Sequence, residues 1–86
     1  MSAVLPTRAA VALAHGAVLK SIREGTTGLT QEDLAEKAAI DSTHVSLMEL
    51  GERCPSLWVF IKVAIALDVD PLLLLSMTLG RLRGQL

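Results

Sequence analysis

The chain has 86 residues, 51% of them hydrophobic, with eight Lys and Arg against nine Asp and Glu and one cysteine, Cys54. That length predicts a single small domain over 1–86, one that buries only about 60% of its unfolded surface and so needs a well-made core or a partner chain. A lone thiol excludes an intramolecular disulfide framework and favours the cytoplasm, and the near-neutral charge excludes a strongly basic chain held to nucleic acid by phosphate neutralisation alone.

No run alternates apolar and polar residues cleanly, so the predicted elements are all helices. The first is expected from about Thr7 to Glu24, with Val11, Ala14, Val18, Leu19 and Ile22 on its inner side and Gly25-Thr26-Thr27-Gly28 ending it. Its start, Arg8 followed by six apolar residues, faintly resembles a signal peptide, but His15 and Lys20 interrupt it and the helical period continues beyond them.

Thr30-Gln31-Glu32-Asp33 has the pattern of a capping box, and a short second helix follows from about Gln31 to Ala38, burying Leu34, Ala35 and Ala38. Ala39-Ile40-Asp41 breaks the chain. Ile40 is suited to plug the corner and Asp41 to cap a third helix over about Ser42 to Leu50, with Gly51 as its stop. Val45 and Met48 are its inward residues, which leaves Ser42, Thr43, Ser46 and Leu47 on other faces. Two short helices joined by a tight turn, the second showing small hydroxyl residues, make a shape that fits the DNA major groove.

Ser56 caps a fourth helix over Leu57 to Leu67, and Asp70-Pro71 starts a fifth that runs through about Arg83. The most apolar stretch, Leu57 to Leu79, is interrupted by Lys62, Asp68, Asp70 and Pro71, too often for the roughly 20 apolar residues of a membrane span. His15, His44 and Cys54 have no metal-ligand spacing, no glycine-rich phosphate loop is present, and Cys54 has no sequence-evident base. These patterns give no reason to expect an enzyme, a metal or a cofactor.

Several spacings agree together: Gly16-x-x-Leu19-Lys20-x-Ile22-Arg23, Leu29-Thr30-Gln31-Glu32-Asp33-Leu34-Ala35, Ile40-Asp41, Val45-Ser46, Glu49-x-Gly51 and Pro55-Ser56-Leu57. From about Gly16 to Leu75 the chain resembles the Cro and phage-repressor type of helix-turn-helix domain, also called the xenobiotic-response-element family. The resemblance implies an all-α, compact five-helix, lambda-repressor-like domain, with its motif at about 30–50 and its third helix in the major groove. It implies that Ser42, Thr43, Ser46 and Leu47 face bases, and that Gln31 meets the DNA backbone; Thr30 and Arg53 are expected at the backbone beside it, and His44 can donate to a phosphate or a base. It also implies a structural ion pair between Arg23 and Glu49. The family's turn glycine is Ala39 here, a departure that is tolerable only if that residue avoids strongly left-handed angles.

Charge pulls the other way. From Thr30 to Arg53, Lys37 and Arg53 stand against Glu32, Asp33, Glu36, Asp41, Glu49 and Glu52, a net of −4. Amides at helix starts can still bind phosphate without a charged side chain.

The last two helices hold an apolar surplus. Leu57, Phe60, Val63, Ala64 and Leu67 suffice for the inner stripe of the fourth helix, leaving Trp58, Ile61 and Ile65, and the fifth adds Leu72, Leu73, Leu74, Leu75, Met77, Leu79 and Leu82. Such a surplus marks an interface. A homodimer through Trp58, Ile61, Leu73, Leu74, Met77 and Leu79 is therefore expected, within the apolar C-terminal helices of 57–83; the alternative is that the long first helix folds over the fifth and covers them. The function expected is a sequence-specific, duplex-DNA-binding transcriptional regulator of bacterial or phage type. The competing expectation is a protein-interaction module that keeps the fold without binding DNA.

Overall fold

Each helix begins where a short polar side chain takes up an amide that would otherwise lack a partner. The computed structural model describes residues 4–85, which form α1 (Arg8–Ile22), α2 (Gln31–Ala38), α3 (Ser42–Glu49), α4 (Leu57–Ala66) and α5 (Pro71–Gln85). Thr7 Oγ1 accepts from the Ala10 amide at 3.1 Å, Asp41 Oδ1 from Thr43 at 2.8 Å, Ser56 Oγ from Val59 at 3.1 Å and Asp70 Oδ1 from Leu72 at 2.9 Å. At α2 the capping box is complete: Thr30 Oγ1 accepts from the Asp33 amide and Asp33 Oδ2 from the Thr30 amide, both at 3.1 Å.

Two helix ends differ from the sequence reading. The α-helical part of α1 stops at Ile22, not Glu24, and the chain widens into a π turn over Arg23–Thr27. There the Thr27 hydroxyl donates to the Arg23 carbonyl at 2.8 Å and accepts from the Leu29 amide at 3.2 Å, so a side chain completes what the helix ladder leaves open. At the end of α2, Ala39 adopts φ 55° and ψ 47°, so the condition set for an alanine at this turn is not met and the residue is left-handed all the same. Its amide closes onto Glu36 O at 3.2 Å and the Ile40 amide onto Ala35 O at 2.9 Å, and this helix-ending geometry requires the left-handed residue whether or not it is glycine.

Helix α1 packs on α3 and α5, and α2 packs on α3 and α4. Leu19, Leu34, Val45, Met48, Val63 and Leu74 are fully enclosed among them, with Leu29, Ile40 and Phe60 filling the margins. Gly16 lets α1 approach the end of α3: a Cβ there would collide with the Met48 carbonyl oxygen and lie 3.0 Å from that of Glu49. Gly51, at φ 76°, ends α3 against Leu13, where an added Cβ would meet the leucine side chain.

The faces of α4 and α5 need correction. Leu57 is 74% exposed and Val59 takes the inward place, because α4 is apolar all round and only its packing sets which stripe turns in. Leu74 is completely buried, so it belongs to the core and not to a surface another chain could reach. Folding of α1 onto α5 covers Leu74, Thr78 and Leu82 but leaves Leu72, Leu73, Leu75, Met77 and Leu79 exposed. No helix among the described residues is long and apolar enough to cross a membrane.

Candidate nucleic-acid interface

Four segments meet at Arg23, which leaves the end of α1 for the space between α2 and α3. Its Nε donates to Glu49 Oε2 at 2.6 Å and its Nη2 to Glu49 Oε1 at 2.8 Å, the two-pronged geometry a guanidinium and a carboxylate favour. Its Nη1 donates to the Leu29 carbonyl at 2.9 Å. Gln31 Nε2 donates to Glu49 Oε1 at 3.0 Å, so the end of α1, the following turn, the start of α2 and the end of α3 are tied through the Arg23–Glu49 pair.

The electrostatics of this lock are one-sided. Burial pushes the Glu49 carboxyl up, but hydrogen bonds from Arg23 and Gln31 and the charges of Arg23 and Lys20 together hold it below its ordinary value. The same hydrogen bond holds the Arg23 guanidinium more firmly protonated, against the opposing cost of burial. Both groups stay charged. Glu49 is therefore neutralised from within, and the acids left facing solvent along α2, α3 and their flanks are Glu32, Asp33, Glu36, Asp41 and Glu52.

With Val45 and Met48 turned into the core, helical spacing puts Ser42, Thr43, Ser46 and Leu47 together on the outer side of α3. Thr43 is exposed and the other three are half-buried. Small hydroxyls and one branched apolar side chain there can hydrogen-bond base edges of either type and pack on a thymine methyl.

Of the residues expected at the DNA backbone, Thr30 and Arg53 are exposed, and Gln31 and His44 half-buried. The Thr30 hydroxyl accepts within its capping box. One amide hydrogen of Gln31 is engaged by Glu49, which leaves the second for an acceptor outside the protein. The His44 imidazole is held below its usual pKa, first by burial and then by the charges of Arg53 and Lys62, against the pull of Asp41. Arg53 and Lys62 thus bring positive charge to the start of α3.

Lys62 is the residue the sequence reading passed over. It reaches from α4 to the α2–α3 turn, donating to the Ala39 carbonyl at 3.2 Å, and its ammonium lies 4.5 Å from the centre of the Trp58 ring. In the sequence it is one lysine within an apolar helix, and no spacing marks it. Trp58 at 72%, Leu73 at 54% and Met77 at 40% are the more exposed of the residues expected at a dimer contact, with Ile61 and Leu79 less so.

A short helix locked across a second one whose outer side is free defines a helix-turn-helix protein. The helix-turn-helix family model matches residues 19–74, and the chain belongs to that family, in its Cro/C1-type branch of DNA-binding regulators. Among solved structures it is similar to the restriction-modification controller protein C.AhdI from Aeromonas hydrophila, at 36% identity and TM-score 0.70 over 73% of this chain and 94% of that one. It is also similar to the clp gene regulator ClgR from Corynebacterium glutamicum, at 28% identity and TM-score 0.80 over 87% of this chain and 79% of that one. A third similar structure is the controller protein C.Esp1396I, a tetramer in complex with its natural 35 base-pair operator, at 28% identity and TM-score 0.75 over 84% of this chain and 93% of that one. Comparison with curated proteins gave no match.

Proposed function

We propose that this chain is a transcriptional regulator that binds specific duplex DNA as a homodimer, with α3 in the major groove. The observation that carries the reading is the Arg23–Glu49–Gln31 lock, because it fixes α3 against α2 while leaving the side of Ser42, Thr43, Ser46 and Leu47 outward. Those four read bases. Thr30, Gln31, His44 and Arg53 meet phosphate, and Lys62 adds charge beside them. Trp58, Ile61, Leu73, Met77 and Leu79 form the contact between protomers, which sets two recognition helices about one helical turn of DNA apart. C.Esp1396I, a tetramer on its operator, supports both a DNA partner and an oligomer.

Selection from a random duplex pool at low salt tests this reading. A two-fold symmetric site enriches if it is right, and a folded dimer that enriches nothing overturns it. The second result would favour the competing reading of a protein-interaction module, which rests on the exposed acids of α2.

A further inference from the structure

Between α1, α4, α5 and the loop before α4 lies a cavity of about 200 Å³ whose lining includes His15, Cys54, Leu57, Phe60, Leu75 and Thr78. His15 is 1% exposed, and neither Nδ1 nor Nε2 finds a hydrogen-bond partner in the protein. Its ring stands 5.5 Å from that of Phe60, tilted by 46°. Burial lowers its pKa to about 4, so at neutral pH the imidazole is uncharged and offers one N–H donor and one lone pair.

A buried polar group left unpaired opposes folding unless something else satisfies it. The rest of the wall does not do so. The Thr78 hydroxyl hydrogen is committed to the Leu74 carbonyl at 2.8 Å, the Ser56 hydroxyl, also in the wall, accepts from the Val59 amide at 3.1 Å, and the other lining side chains are apolar or thiol. An apolar cavity of about 150 Å³ accepts a benzene ring, and this one is somewhat larger.

We propose that the cavity is a binding site for a small, neutral, single-ring molecule carrying a hydroxyl group, whose hydroxyl hydrogen-bonds the His15 ring while its hydrocarbon fills the space against Phe60 and Leu75. The site lies apart from the α3 surface and does not depend on the DNA reading. Its exposed rim, Leu57 and Leu75, lies on the two helices that carry the proposed protomer contact. A side chain from a second copy is therefore the rival occupant.

The test titrates phenol, with benzene as the hydroxyl-free control, into the full chain labelled with ¹⁵N at histidine. Saturable phenol binding that moves the His15 ring nitrogens, about tenfold tighter than benzene, is expected. The variant His15→Phe abolishes the preference. Leu75→Trp, at the exposed rim, blocks phenol while leaving His15 and the fold in place, which covers the case in which His15→Phe does not fold. Equal affinities for the two probes, no saturation, or shifts unaffected by Leu75→Trp overturn the proposal. Phenol affinity that falls as protein concentration drives dimerisation also overturns it, and assigns the cavity to the second copy.

Discussion

Removing the Glu49 carboxylate leaves Arg23 enclosed and short of two acceptors, and leaves Gln31 without the partner that holds it against α3. Breaking a buried ion pair from one side costs about 3 to 5 kcal/mol. The Arg23 side chain keeps 10% of its surface, so Glu49→Ala should cost about 3 kcal/mol, at the lower end of that range, read as a fall in the urea midpoint. The pH dependence has a definite sign. Because the folded pKa of Glu49 lies below its ordinary 4.5, its charge-dependent contribution is complete above that value and is lost as pH falls through the lower folded one. Glu49→Gln lacks this contribution, so its stability should approach that of the wild type only in acid. A second residue works against the fold: Ala39 holds a left-handed backbone that costs a residue with a Cβ roughly 1 to 2 kcal/mol. Ala39→Gly should raise stability by about 1 kcal/mol, after the greater entropy of the unfolded glycine is taken off, measured by the same denaturation.

At the scale of the element, the helix starts were legible because capping is local chemistry. Thr30 with Asp33, Asp41, Ser56 and Asp70 each announce a first turn within three residues, and the structure has a helix at each. Ends and faces were harder to read. Thr27 closing a π turn and the left-handed Ala39 depend on how the backbone completes its hydrogen bonds, which residue type alone does not decide. The stripe that α4 and α5 bury has no signature when every side is apolar, so Leu57 and Leu74 were assigned to the wrong environments. Two residues of the candidate sites were illegible for another reason. Lys62 acquires a place at the α2–α3 turn, and His15 its enclosure, only when α4 and α5 arrive from later in the chain. Helices α2 and α3 have separate tasks in the proposed complex, and substitution should separate them. Gln31→Ala, with its fold checked by circular dichroism, should weaken binding to every duplex alike. Thr43→Ala or Leu47→Ala should change preference at individual base pairs by roughly 1 to 3 kcal/mol each.

For the whole molecule, the proposed activity depends on a second copy. One protomer presents two cations near the start of α3, Arg53 and Lys62, the second already held by the Ala39 carbonyl and the Trp58 ring, against several exposed acids, so phosphate attraction alone holds it weakly. Two protomers double the specific contacts, and the apolar residues that α5 leaves outside give them a surface to meet on. Leu73→Glu combined with Met77→Glu puts like charges on that surface without touching the buried set of Leu74, Thr78 and Leu82. The double variant should remain folded while its dimer dissociates at least about tenfold more readily, as sedimentation would report; an unchanged dimer would move the contact elsewhere.

The most direct test is titration of the selected duplex against a scrambled one at a series of salt concentrations. The account predicts two protomers on each selected site and a clear preference over the scrambled duplex. With about four cations per dimer near phosphate, the logarithm of affinity should fall with that of salt at a slope of about −4. Equal, uniformly weak binding of both duplexes by a folded dimer would contradict it.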